Sequence, residues 1–262
     1  MVASYFLITL TLTRKNRYWT DLIFKGGFLL AEKNFLVDHL ISEIKSGTFQ
    51  LDKKLPSEHI LADQFNVPRM VVRKAYEQLQ DLGFIYSKQG KGSYVQESKK
   101  QIPLILSGDV SFTEKMKEFQ FSFQTSTIFC EEISYDQKIF QSLEAERDDK
   151  VFKIGRLRLM DDFPIALHTS FVAKSTFPEI EKDGPDITSM FQYYRQRGFV
   201  EFGSSSSTLN VIFPTLFERD ILQCSSLIPL LQVESLCRDK RSNQVLEHTV
   251  IIYRSDCFTY VI

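Results

Sequence analysis

Cysteine is scarce and scattered. The 262 residues hold four, Cys130, Cys224, Cys237 and Cys257, with no C-x-x-C pair and no short Cys/His cluster. That spacing argues against structural zinc and implies no disulfide framework at this length, so reduced thiols in or near cores and a cytoplasmic setting are expected. No metal and no cofactor is called for. Long apolar runs are also missing: none reaches the ~20 residues that span a bilayer. The basic residues Arg14, Lys15 and Arg17 follow the apolar stretch Val2–Leu12 instead of preceding it, the wrong order for a secretory signal. No membrane partner is expected. An excess of one charge is lacking as well, the net value being −1. Its distribution is uneven, however. Residues 1–33 carry five basic and two acidic side chains, residues 34–100 ten and eight, and residues 101–262 seventeen and twenty-three. Only the N-terminal part would be drawn to a polyanion.

What is present reads as two domains, a division that 262 residues accommodate comfortably. Residues 1–33 show no clear period and form an extension with two readings, a misplaced translation start or a strand that packs on the body. Phe35–Ser46 places Leu36, Val37, Leu40, Ile41 and Ile44 on one helical stripe, and Gly47 stops it. Ser57 is an N-cap candidate with Glu58 in the following first turn, and a short helix Glu58–Phe65 is predicted. Asn66-Val67-Pro68 makes a turn. A longer helix from Arg69 to Leu82 buries Val72, Ala75, Tyr76, Leu79 and Leu82, and it carries Arg69, Arg73 and Lys74 near its exposed start, with Val71 at the same end. Two helices joined by a tight turn, the second basic at its N-terminal end, meet the requirements of major-groove reading. Arginine bonds both acceptors of guanine, and Val71 is placed to press a thymine methyl. Phe84–Ser87 and Ser93–Val95 read as strands around Lys88-Gln89-Gly90-Lys91-Gly92, a loop suited to a close approach to phosphates.

Gly47, Leu55-Pro56-Ser57-Glu58, Leu61-Ala62, Arg69, Val72-Arg73-Lys74-Ala75, Leu79, Leu82-Gly83-Phe84-Ile85 and Gly90-Lys91-Gly92-Ser93-Tyr94-Val95, taken in this order, resemble the GntR family of bacterial regulators. The resemblance implies a winged helix-turn-helix over 34–96 that binds double-stranded operator DNA. Arg69 and Arg73 would read bases or phosphates, Ser57 and Glu58 would set the second helix on the backbone, and Gly90, Lys91 and Gly92 would form the wing tip. Pro68 stands where the family usually has serine, and Val71 where threonine is common. Both departures suggest a shifted contact pattern.

Residues 97–102 read as a linker, polar and charged over 97–101. Beyond them the pattern is that of strands: Phe119, Phe121 and Phe123 alternate, Val151–Met160 and Ile165–Ala173 flank a turn Asp161-Asp162-Phe163-Pro164, and Ser207–Phe213, Pro229–Arg238, Val245–Tyr253 and Cys257–Ile262 follow. Gln137–Leu143, Ile187–Arg197 and Thr215–Cys224 read as helices. The fold class is α+β, with an antiparallel sheet over 103–262. Arg156 and Arg158 lie two apart on one strand, hence on one face. They either point outward to surface carboxylates or converge on an anion such as phosphate. Glu247 and Tyr253 share a face too, either outward and core respectively or both toward a hydroxyl-rich ligand.

Phe112-Thr113-Glu114-Lys115-Met116, Arg156-Leu157-Arg158-Leu159, Pro164-Ile165-Ala166-Leu167, Phe177-Pro178 and Glu247 with Tyr253-Arg254-Ser255-Asp256 are similar to the UTRA effector domain of HutC-type GntR regulators. That resemblance implies a chorismate-lyase-like fold and a small-molecule effector, in many members a phosphosugar. Ser111 and Phe112 would sit beside its phosphate, Arg156 and Arg158 would clamp it, Ser189 would bond it, and Glu247 and Tyr253 would hold sugar hydroxyls. His168 occupies the place of a frequent glutamate, and Phe191 falls where a tyrosine occurs. The expected function is a homodimeric, ligand-released repressor. The alternatives are a regulator whose second domain only dimerises, or a lyase-like enzyme, against which no nucleophile–base pair is legible in the chain.

Overall fold

The computed structural model describes residues 17–50, 52–96, 102–105, 112, 114, 116, 122–204 and 206–261. The chain divides into two units, Met1–Glu97 and Ser98–Ile262.

The described residues of the first unit form three helices, α1 (Arg17–Lys45), α2 (Glu58–Phe65) and α3 (Arg69–Asp81), then a hairpin of β1 (Ile85–Lys88) and β2 (Gly92–Val95). Its core joins Leu36, Val37 and Leu40 of α1 to Leu61 of α2 and to Val72, Ala75, Tyr76 and Leu79 of α3, closed below by Leu55, Ile85 and Val95. The helix predicted from Phe35 therefore starts much earlier. Residues 17–33, read as part of a period-free extension, are its first turns, and the strand suggested over residues 2–12 lies outside the described residues. The core residues that α1 contributes among the described side chains, Leu36, Val37 and Leu40, coincide with the stripe read in the sequence. Ser57 caps α2 by accepting from the Ile60 amide at 3.3 Å, and Asn66 ends α2 in the left-handed region. The Tyr76 hydroxyl donates to the Pro56 carbonyl at 2.7 Å, tying α3 to the segment ahead of α2. Lys54 forms a bridge to Tyr94 that widens the wing.

The second unit is built on a seven-stranded antiparallel sheet. Its strands are β4 (Phe123–Glu132), β5 (Val151–Met160), β6 (Phe163–Ala173), β7 (Phe202–Gly203), β8 (Ser207–Ile212), β9 (Leu230–Asp239) and β10 (Val245–Arg254). They lie in the order β4-β5-β6-β10-β9-β7, and β8 also pairs with β9. A separate parallel pair joins β11 (Phe258–Val261), the strand expected over Cys257–Ile262, to β3 (Ile102–Ile105), which was not legible in the sequence. Nor were β7 and the short α5 (Ile180–Asp183). Phe119 and Phe121 lie outside the described residues, and the strand expected there runs from Phe123 to Glu132. The β5–β6 turn is only Asp161-Asp162, both at positive φ, so Phe163 and Pro164 belong to β6. Helices α4 (Gln137–Leu143) and α7 (Leu216–Leu222) lie on one face of the sheet, where Leu222 packs with Leu167, Leu230 and Ile252. Gly155 allows the Phe129 ring to cross that face: a Cβ there would come 2.1 Å from the ring. On the other face α6 (Met190–Gln196) brings Tyr193 and Tyr194 against Phe177 and Phe202. The helix predicted over Ile187–Arg197 is shorter at its start because Ser189 caps it, leaving Ile187 as a buried anchor ahead of the cap. No helix among the described residues is long and apolar enough to cross a membrane.

Candidate functional site

Two surfaces carry the residues singled out in the sequence. In the first unit, the buried stripe of α3 leaves Arg69, Met70, Arg73 and Lys74 on the opposite side, all exposed. Arg69 Nε donates to Glu58 Oε2 at 2.8 Å, so Glu58 fixes an arginine whose side chain is still 72% exposed. Arg73 Nε reaches Glu77 Oε1 at 3.2 Å, a surface pair worth only a few tenths of a kcal/mol. Val71 requires a correction. It is buried at 4% relative exposure, so it offers little surface to a thymine methyl. A side chain on the N-terminal turn is not outward by default; here the helix rotation turns position 71 inward and position 70 outward. Ser57 spends its oxygen on the α2 cap.

At the wing, Gly90 and Gly92 adopt φ +70° and +110°. A Cβ at Gly92 would also press Lys54 Cε at 2.9 Å, so glycine is required there. Lys91 is exposed at the tip. Lys88 lies over the Tyr86 and Tyr94 rings at 5.1 and 4.9 Å, and those rings stack at 5.6 Å. Lys54 therefore joins Lys88 and Lys91, the two lysines of the loop read in the sequence, in a basic wing.

In the second unit, register places the remaining candidates in rows across one sheet face. Arg156 is opposite His168, which is opposite Ile251; Arg158 is opposite Ala166, which is opposite Tyr253. Arg156 and Arg158 are buried at 4% and 2% exposure, which rules out the surface-pair reading. Their environments differ. Arg156 Nη2 donates to Ser170 Oγ, Ser170 Oγ donates to Glu247 Oε1, and the Arg156–Glu247 ion pair spans 3.7 Å. Tyr194 Oη donates to Glu247 Oε2 at 2.7 Å. The Glu247 carboxylate, expected to face ligand hydroxyls, is thus engaged by protein groups on both oxygens. Arg158 Nη1 donates to Thr125 Oγ1 and, at 3.0 Å, to the Thr188 carbonyl, and its guanidinium lies over the Phe112 ring at 5.4 Å. No carboxylate pairs with Arg158 among the described residues, and the Nε of each arginine has no hydrogen-bond partner among them.

Burial, and then the neighbouring Arg156 charge, holds the Arg158 guanidinium down to about 9. Burial lowers Arg156 too, against the opposing pull of Glu247. Burial, then Glu247, drives the Tyr194 phenol well above its usual range, and burial raises Tyr253. His168, Phe112 and Tyr253 form an aromatic wall, with His168 at 5.0 Å from Phe112 and 5.7 Å from Tyr253. Ser189, half-buried, caps α6 directly after Thr188. Phe191 is turned to Phe202 and Tyr194 at 4.7 and 6.1 Å, into the core cluster. Ser111 lies outside the described residues. The sequence reading missed Ser170, Thr125 and Tyr194. Ser170 was findable, because it sits two residues beyond His168 on the same strand face. Thr125 and Tyr194 come from elements whose register only the fold sets.

Among the described residues no cluster of three His, Cys, Asp or Glu could hold a metal. On the opposite face Ser142 Oγ lies 2.6 Å from His248 Nδ1, and His248 Nε2 lies 3.1 Å from Glu234. That hydroxyl also donates to the Ile139 carbonyl at 2.8 Å, and Lys138 holds Glu234 at 2.6 Å, so these contacts fasten α4 to β9 and β10.

Comparison with known proteins finds a match for each unit. Residues 120–259 match the UTRA domain family, and residues 32–95 match the bacterial regulatory proteins of the gntR family. The chain is 27% identical over 226 residues to the HTH-type transcriptional repressor NagR of Bacillus subtilis, covering 86% of this chain and 91% of that protein. It is 25% identical over 213 residues to the probable fructoselysine utilization operon transcriptional repressor of Escherichia coli, covering 79% and 84%. In fold it is similar to the crystal structure of PhnF from Mycobacterium smegmatis, with a TM-score of 0.55 at 20% identity over 86% of this chain and 96% of that one.

Proposed function

This chain belongs to the GntR family of bacterial regulatory proteins and carries a UTRA domain, and from that premise we propose that it is a cytoplasmic repressor released from its operator by a small phosphosugar. It is a DNA-binding transcription regulator and not an enzyme. The proposed reading assigns residues 34–96 to the operator and 103–262 to the effector, with the linker read over 97–102 ending one residue earlier because Ile102 is the buried first residue of β3. The observation that carries it is Arg158, a buried guanidinium with no carboxylate partner among the described residues, beside an Arg156 already neutralised by Glu247. Two cations and one anion leave a single positive charge in a dry site, and a charge so placed is unfavourable until an anion arrives. A phosphate at Arg158 and Thr125 supplies it. The Phe112–His168–Tyr253 wall and Ser189 would then face the sugar. Relatives whose names include fructoselysine and mannosyl-D-glycerate support a sugar-derived effector.

The operator-bound form is a homodimer in this reading, since paired half-sites suit two-fold symmetric proteins. Strand β8 supports it. The strand pairs only with β9 among the described residues, Ser207–Val211 are all exposed, and Val211 and Phe213 stand 67% and 66% exposed. Ser207–Phe213 contains neither charge nor proline, the usual protections of an open edge. Antiparallel pairing of β8 with its copy is two-fold by construction.

Release requires that effector bind the off-DNA state more tightly than the DNA-bound state; DNA then weakens effector binding by the same factor. Fluorescence anisotropy on DNA from upstream of the chain's own gene, titrated with a panel of phosphosugars and with the corresponding unphosphorylated sugars, tests this. Release by one phosphosugar, absent with its unphosphorylated form and absent in Arg158→Met, is the expected result. Binding that no phosphosugar alters overturns the effector class and leaves the regulator.

A further inference from the structure

We propose that Met70 is the residue that reads a thymine methyl in the operator, a deeper reading of the DNA-binding surface that rests on the regulator function. On α3 the apolar side is complete without Met70: Val71, Val72, Ala75, Tyr76 and Leu79 are all buried. Met70 lies one helical step from Arg69 and three from Arg73, and it is 56% exposed. It takes no part in the unit's core cluster. A large thioether standing among Arg69, Arg73 and Lys74 leaves apolar surface that a partner gains by covering.

The flanking cations define what does. Both arginines are braced through Nε, Arg69 by Glu58 and Arg73 by Glu77. Side chains so placed at the start of a recognition helix face the base edges of the major groove. That groove offers one apolar group, the C5-methyl of thymine; every other edge feature is a hydrogen-bond donor or acceptor. Methionine's unbranched, flexible chain reaches and moulds to such a methyl. Val71, the residue that sequence logic chose for this contact, is buried, and its exposed neighbour takes the position.

The test removes one methyl at a time. An operator is first isolated by selection from random duplexes with the full-length protein. Each thymine is then replaced singly by deoxyuridine, and binding is measured for the wild type, Met70→Ala and Met70→Leu. At one thymine per half-site the wild type loses roughly threefold to fivefold in affinity, the equivalent of one buried methyl group. Met70→Ala binds the thymine and deoxyuridine duplexes equally well, and Met70→Leu keeps part of the discrimination. If no deoxyuridine position weakens the wild type, or if Met70→Ala discriminates at the same thymine as strongly as the wild type, the assignment is overturned while the regulator function stands. If selection yields no preferred duplex, the DNA-binding reading fails first and the assignment fails with it.

Discussion

Replacing Arg158 by methionine should stabilise the protein and abolish its response to effector. The guanidinium is 2% exposed and pushed down to about 9 by burial and by Arg156. A displacement of that size means the charged form is disfavoured in the fold by roughly 4–5 kcal/mol at neutral pH. Methionine fills a similar elongated space without that charge. It forfeits the hydrogen bonds to Thr125 Oγ1 and the Thr188 carbonyl, leaving a carbonyl and a hydroxyl to find other partners at a cost of about 2–3 kcal/mol. The net gain is about 2 kcal/mol. For a unit of this size each kcal/mol raises Tm by roughly 2–4 °C, so calorimetry of the full chain should show the second unit's transition higher by about 4–8 °C. Saturating phosphosugar, which at a hundredfold over Kd adds about 2.7 kcal/mol to the wild type, should add nothing to the variant. A fall of several degrees in Arg158→Met, with the ligand-induced rise intact, would refute the reasoning: the guanidinium would then be a compensated structural cation.

Three further outcomes follow from the same geometry. Glu247→Gln removes the partner of buried Arg156 and should lower stability by about 3 kcal/mol, with a larger ligand-induced rise in Tm than the wild type shows, because phosphate now answers two unpaired cations; an unchanged Tm would show that the pair is immaterial. Effector affinity should hold to about pH 8 and weaken as pH rises through about 9. Arg158 is charged below that value and neutral above it, while a phosphate monoester stays dianionic throughout. The same titration relieves the folded state of its buried charge above about 9, so calorimetric titration across pH 7–10 should find binding and stability moving in opposite senses. Val211→Lys places like charges opposite one another across a β8–β8 pairing and should give a monomer by light scattering with weakened operator binding; a dimer that persists would place the interface elsewhere.

Chain order alone established the winged helix-turn-helix, because its devices are local. Ser57 as a cap, Gly47 ending α1, Arg69 to Leu82 as an amphipathic helix and the glycines of the wing each declare themselves within a turn or two. The pairing of Arg156 with Arg158 on one strand face was legible for the same reason. Burial was not. Whether position 70 or 71 of α3 points outward depends on where α1 lies, and nothing local records that. The division of labour between the two arginines depends on β10 lying beside β6, which brings Glu247 to Ser170 from 77 positions away, and on α6 folding Tyr194 over both. Local backbone chemistry set what elements this chain would form. Desolvation and charge pairing between distant segments, which exist only after the sheet has assembled, decided which cation has a carboxylate partner and which has none among the described residues.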